Sequence, residues 1–148
     1  MDQSIKDKAV NDALEAATGY YRKLTERLLG NGGARYAEES MKYLPADISE
    51  YLYEKIEEIS DEMLYERFAA CAGKTRADEF FCTFLADFLR IRALNYAKGY
   101  LNGELKIIIR LEEKGKLTPA STAKELFIPE EEYPQRKQLI KEWLQSSE

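Results

Sequence analysis

A chain of 148 residues, 45% apolar, can bury about two thirds of its unfolded surface as one ordinary domain, and its many Tyr, Phe, Leu and Ile exclude disorder. A net charge of −5 and a pI near 5.0 argue against general affinity for nucleic acid or anionic membranes, which recognise positive surfaces. Cys71 and Cys82 sit in the apolar runs FAACA and FFCTF, which predicts buried free thiols, and the lack of a signal-type or bilayer-length apolar run predicts a cytoplasmic protein with no membrane insertion.

The first helix is expected from Ser4 to Leu29. Ile5, Ala9, Ala13, Ala16, Ala17, Tyr20, Tyr21, Leu24 and Leu28 recur at steps of three and four, as one buried stripe requires. Gly30-Asn31-Gly32-Gly33 ends it and reads as a flexible, glycine-rich loop. A short helix over 34–43 is stopped by Pro45, and another over 46–59 carries Ile48, Leu52, Ile56 and Ile59. Ser60 then reads as an N-cap, with Asp61 and Glu62 in the favourable first turn of a helix holding Met63, Leu64, Phe68 and Cys71. Gly73 closes that helix.

Thr75-Arg76-Ala77-Asp78 reads as a capping box opening the longest periodic stretch. Phe81, Phe84, Leu85, Phe88, Ile91, Leu94, Ala97, Leu101, Leu105, Ile108 and Leu111 keep a helical period through Gly99 and Asn102-Gly103. One long helix over 76–114 follows, with two helices joined by a turn at Asn102-Gly103 as the alternative. Thr118-Pro119 is a helix start, a cap followed by proline at the first helical position. That helix runs to about Phe127, Ile128-Pro129 breaks it, and a last helix ends near Leu144 with Leu139, Ile140, Trp143 and Leu144 facing inward. No strand-like alternation appears. The expected fold is therefore all-α, one domain over 1–148 with about six helices bundled around the long one.

The residues offer little for catalysis. The chain has no histidine, which removes the commonest general base and most zinc sites. No phosphate-loop pattern occurs, and the glycines at 30, 32 and 33 follow a helix instead of a strand. The dense acids Glu54, Glu57, Glu58, Asp61, Glu62 and Glu66 read as a solvated helix face, with an inward metal or acid/base set as the sharper alternative. No catalytic residue, cofactor site or metal site is expected.

Charge is uneven along the chain. Residues 38–66 hold ten acids against Lys42 and Lys55, whereas 90–116 hold seven bases against Glu104, Glu112 and Glu113. Such halves pair internally or orient partners. Tyrosine is abundant, at ten residues, and suits positions with one apolar edge and one wet edge. Adjacent Tyr20 and Tyr21 cannot both enter one stripe, so at least one lies at a core rim or a partner surface. The tail 117–144 has the outline of a helix-turn-helix, but Glu130-Glu131-Glu132 opens its second helix where phosphates would repel it, so no direct nucleic-acid binding is expected.

DFLRIRALNYAK at 87–98, preceded by IEEISDEMLYERF and followed by LEEKGKLTPASTAKEL, resembles the repeated helical unit of one family. These are the socket-like proteins of A/V-type rotary ATPases that connect the membrane rotor ring to the central axle. The resemblance covers about 56–126. Asp61 and Tyr65 follow that family's acidic Asp-Tyr-Phe type element with a spacing one residue longer. Asp87, Ile91, Ala97 and Lys98 match its long-helix element, and Gly115-Lys116-Leu117 match its turn. Arg90 and Tyr96 stand where that family has Asn and Arg. The resemblance implies a non-catalytic, nucleotide-free connector, with the long-helix Asp in a buried structural network. The expected function is thus a protein–protein interaction or assembly subunit with a protein partner. Tyr20, Tyr21, Arg90, Arg92, Tyr96, Lys98 and Tyr100 are the candidate contacts. The alternative is a small acidic regulator or inhibitor of a larger enzyme or nucleoprotein, working through the acidic stretch 38–66.

Overall fold

The structure, a computed structural model, describes residues 1–59 and 62–146, apart from the side chains of 59, 62 and 63. The expected N-cap at Ser60, the first-turn side chains of Asp61 and Glu62, and the inward placement of Ile59 and Met63 lie outside the described residues. Among the described residues seven α-helices follow in order: α1 (Gln3–Leu29), α2 (Gly33–Ser40), α3 (Leu44–Ile59), α4 (Glu62–Ala72), α5 (Lys74–Glu113), α6 (Pro119–Glu125) and α7 (Tyr133–Ser146). There is no strand among the described residues. The fold is all-α with one long helix of 40 residues. No helix among the described residues is long and apolar enough to cross a membrane.

The chain packs as two compact units. Unit 1 combines Met1–Thr18 with Tyr43–Tyr96. Its core sets the small residues Ala9, Ala13 and Ala17 of α1 beside Leu44, Ile48, Leu52 and Ile56 of α3 and Ala77, Phe81, Leu85, Leu89 and Ala93 of α5. Alanines let helix axes approach closely, and the branched residues fill the space that remains. Tyr65 of α4 closes one end, with Met1, Phe68 and Ala69 packed against it, Ala77 and Phe81. Pro45 falls in the first turn of α3, where its missing N–H costs nothing. Proline therefore opens α3, while α2 has already ended at Ser40.

Unit 2 combines Gly19–Lys42 with Ala97–Glu148. Tyr21, Leu24, Leu28 and Leu29, Leu101, Leu105 and Ile109, and Ile128, Tyr133, Ile140 and Trp143 supply its core. Residues 30–32 form a tight 3₁₀ turn. A Cβ on Gly32 would lie 1.7 Å from the carbonyl oxygen of Phe127, so only glycine lets these two backbone segments meet. Thr118 caps α6 by accepting from the Ser121 amide at 3.0 Å, with Pro119 next in line. That helix ends earlier than its sequence suggests, at Glu125. Phe127 takes φ +56°, while Ile128 N–H reaches Ala123 O and Phe127 N–H reaches Lys124 O. This is a Schellman cap with phenylalanine where glycine is usual.

The α5 stripe differs from expectation in its pitch. The buried positions are Ala77, Phe81, Leu85, Leu89, Ala93, Ala97, Leu101, Leu105 and Ile109, a strict step of four. Four residues turn about 400°, so the buried line advances about 40° round the helix at each step. A 3.6 period keeps one face, which is why Phe84, Ile91 and Leu111, expected inside, are 43%, 55% and 38% exposed. The helix is unbroken through Gly99 and Gly103, as the continuous reading expects.

Two further expectations are corrected. Thr75 is an exposed residue inside α5, whose first turn opens at Gly73, so Thr75–Asp78 is no capping box. The cysteines are free but not buried, since Cys71 is exposed and Cys82 half-buried. On α4 the buried face centres on Tyr65, and Cys71 points about 120° away from it.

Candidate functional site

The feature that stands out in unit 1 is an exposed aromatic row on α5. Phe80, Phe84 and Phe88 lie four residues apart, the spacing that places side chains one above another on a helix. Phe80 and Phe84 stack at 6.3 Å between centroids with planes 5° apart. Phe84 and Phe88 stack at 5.8 Å and 23°. Phe68 of α4 extends the row, stacked on Phe80 at 5.2 Å. The Arg92 guanidinium closes it, 3.9 Å over the Phe88 ring. Ile91 stands at the same side of the helix. Phe80 is 51% and Phe84 43% exposed. Burying the exposed half of each ring would contribute roughly 1 kcal/mol that the isolated chain forgoes, about half the value for a whole side chain.

The sequence held a sign of this row. Adjacent Phe80 and Phe81 lie about 100° apart, and Phe80, Phe84, Phe88, Phe81, Leu85 and Leu89 together span about 180° of the helix. That arc is wider than the stripe one packed helix buries, so part of it must face outward.

The candidate contacts named from sequence fall in several places. Arg90 is exposed, and Arg92 is half-buried against Phe88. Tyr96 is half-buried and packs on Tyr51, their centroids 4.9 Å apart. Tyr20 and Lys98 come together, lining one open cleft with Lys23, Leu24, Arg27, Trp143 and Ser146. Tyr100 meets the edge of Tyr21 at 6.2 Å. Tyr21 must be withdrawn as a contact: it is 0% exposed, and its hydroxyl shares a 2.8 Å hydrogen bond with Ser40. Of the adjacent pair, then, Tyr20 takes the rim and Tyr21 the core.

Three acids of the stretch 38–66 line an open groove beside α3. Asp47, Glu50 and Glu54 line it with Tyr51 and Tyr96. The Tyr96 hydroxyl is held above its usual pKa by burial first and then by those three carboxylates and Tyr51. Lys55 bonds Glu58 at 3.0 Å, which raises its pKa. No group of three or more acidic, cysteine or histidine side chains is placed to hold a metal among the described residues. Asp87 and Arg90 are both exposed, so no buried network forms around Asp87.

The other notable chemistry is structural. Tyr36 donates to Glu104, Tyr65 to Asp78 and Tyr133 to Glu112, each bond joining α5 to another helix. Tyr53 of α3 donates to Asp7 of α1 at 2.6 Å, and that bond with the one from Gln3 holds the Asp7 carboxyl below its usual range.

Comparison of the chain with protein families, with curated proteins and with solved structures gives no match.

Proposed function

We propose that this chain is a non-catalytic helical interaction or assembly subunit, of the kind its resemblance to rotary-ATPase connectors implies. The observation that carries the reading is the Phe80–Phe84–Ile91 edge of α5. A ready-stacked aromatic row beside an exposed isoleucine is what the core of a protein interface is made of. Aromatic rings ordered in advance lose little entropy on docking, and Arg92 supplies the polar rim. The partner that fits is a helix presenting its own apolar stripe. Gly115, with φ +75°, ends the long helix at the Gly-Lys-Leu sequence on which the resemblance partly rests.

Changing Phe80, Phe84 and Ile91 together to serine tests this. The variant should keep wild-type helical circular dichroism and a cooperative melt, with only a moderate loss of stability because each side chain is about half exposed, yet lose the protein that wild type retains from native lysate. A variant that keeps the same partner at the same yield would sink the reading. The acidic-regulator alternative rests on the α3 groove, where Asp47, Glu50 and Glu54 surround Tyr51. It predicts the converse, that replacing those three acids with alanine abolishes binding while the serine variant retains it.

A further inference from the structure

Unit 2 contains a second feature, independent of the aromatic row. An open cleft of about 470 Å³ is lined by Tyr20, Lys23, Leu24 and Arg27 of α1, Lys98 of α5, and Trp143 and Ser146 of α7. Three cations converge there, and no carboxylate among the described residues lines the cleft. None of the three forms an ion pair among the described residues. The chain as a whole is acidic, with 27 acids against 22 bases, so a cleft lined by cations and, among the described residues, no carboxylate runs against its average composition. Neighbouring cations on the same helices do pair: Arg22 of α1 meets Glu38 at 3.4 Å and Lys141 of α7 meets Glu113 at 2.8 Å.

The spacing explains the convergence. Lys23 and Arg27 are four residues apart and so rise from one side of α1, with Tyr20 and Leu24 beside them. Leu24 is 5% and Trp143 7% exposed, which gives the cleft an apolar floor. A low-polarity floor beneath exposed cations strengthens their field over the opening. Mutual repulsion of three like charges is relieved by an anion that carries two or more charges in a small volume. A single carboxylate neutralises one cation and leaves two. Arginine offers a planar fork that matches phosphate oxygens, and lysine a mobile point charge that follows them. The volume is that of a small-ligand site, with half-buried Tyr20 and the Trp143 floor as the aromatic surfaces available to whatever the phosphates are attached to.

We propose that this cleft binds a diphosphate group, held by Lys23, Arg27 and Lys98, either as a free anion or as part of a larger molecule resting on Tyr20 and Trp143. Trp143 is the only tryptophan, so its fluorescence reports on the site itself. Titration of the full chain with inorganic pyrophosphate should give a saturable change in that emission, weakening as salt rises. Titration with ADP in parallel separates the sources: equal affinity assigns the anion alone, and tighter binding assigns the organic portion to the aromatic side chains Tyr20 and Trp143. Lys23→Gln, Arg27→Gln and Lys98→Gln should each weaken binding about tenfold, as loss of one charge-assisted bond predicts. The same variants should melt no lower than wild type without ligand, since each removes repulsion from the cleft. That second measurement separates a lost site from a lost fold. Absence of any saturable change with either probe would overturn the proposal. So would undiminished binding by the three variants, or a response to a glutamate-rich peptide with none to pyrophosphate.

Discussion

Tyr36, Tyr65 and Tyr133 each donate a hydroxyl hydrogen bond to a carboxylate on α5, and burial or that bond lifts all three above the ordinary phenol pKa. Tyr65 is pushed up to about 12, chiefly by its bond to Asp78. A raised folded-state pKa contributes stability that is complete below the unfolded value near 10 and disappears as pH climbs through the folded value. Spectrophotometric titration should therefore show only part of the ten tyrosines ionising near pH 10. The remainder should ionise together, in step with loss of helical circular dichroism. All ten titrating near 10 with the helices intact would contradict these bonds. Tyr36→Phe removes the donor to Glu104, which is half-buried, and should lower stability by about 1 kcal/mol in urea melts. Nothing in the sequence signals these pairings. Each partner lies 13 to 68 residues away, and no local pattern records which acid a tyrosine will meet.

Glycines measure the helices most sharply. Gly99 and Gly103 lie inside α5, and a Cβ at either would meet nothing within 4 Å. Alanine at each should stabilise the chain by roughly 0.5–1 kcal/mol, through helix propensity alone. Gly32→Ala should do the opposite, costing about 3 kcal/mol or more, because its Cβ would collide with the Phe127 backbone. Thermal melts of the three variants check both signs at once. Local signals located these elements well: Thr118-Pro119 began α6, and Gly73 and Gly115, both at positive φ, closed α4 and α5. They failed at α5's buried face. The step of four from Ala77 to Ile109 and a period of 3.6 share several positions, so a short window does not separate them. Neighbours in the fold choose between the two, and those come from distant sequence.

For the molecule as a whole, the all-α fold was legible because amphipathic spacing decides it. The candidate surface was legible only in part. Tyr20 and Lys98 were singled out and share a cleft, while Lys23, Arg27 and Trp143 were passed over because their convergence depends on how three helices pack. Phe80, Phe84 and Ile91 are ordinary core residues by type, and only the excess width of their arc marks them as exposed. If they serve a partner, the isolated chain tolerates their loss. Phe84→Ser removes a ring that is 43% exposed and should cost only about 1 kcal/mol, or roughly 2–4 °C in melting temperature. A core change, Leu52→Ala, should by contrast cost about 2–5 kcal/mol.

The claim on which the functional account stands is that another protein covers the outer edge of α5. A photo-reactive phenylalanine analogue placed at position 84, and separately at exposed Ser4 of α1, tests it by direct contact after illumination in native extract. The account predicts one discrete adduct from position 84 to a different protein and none from position 4. No adduct at 84, or equal adducts from both positions, would contradict it.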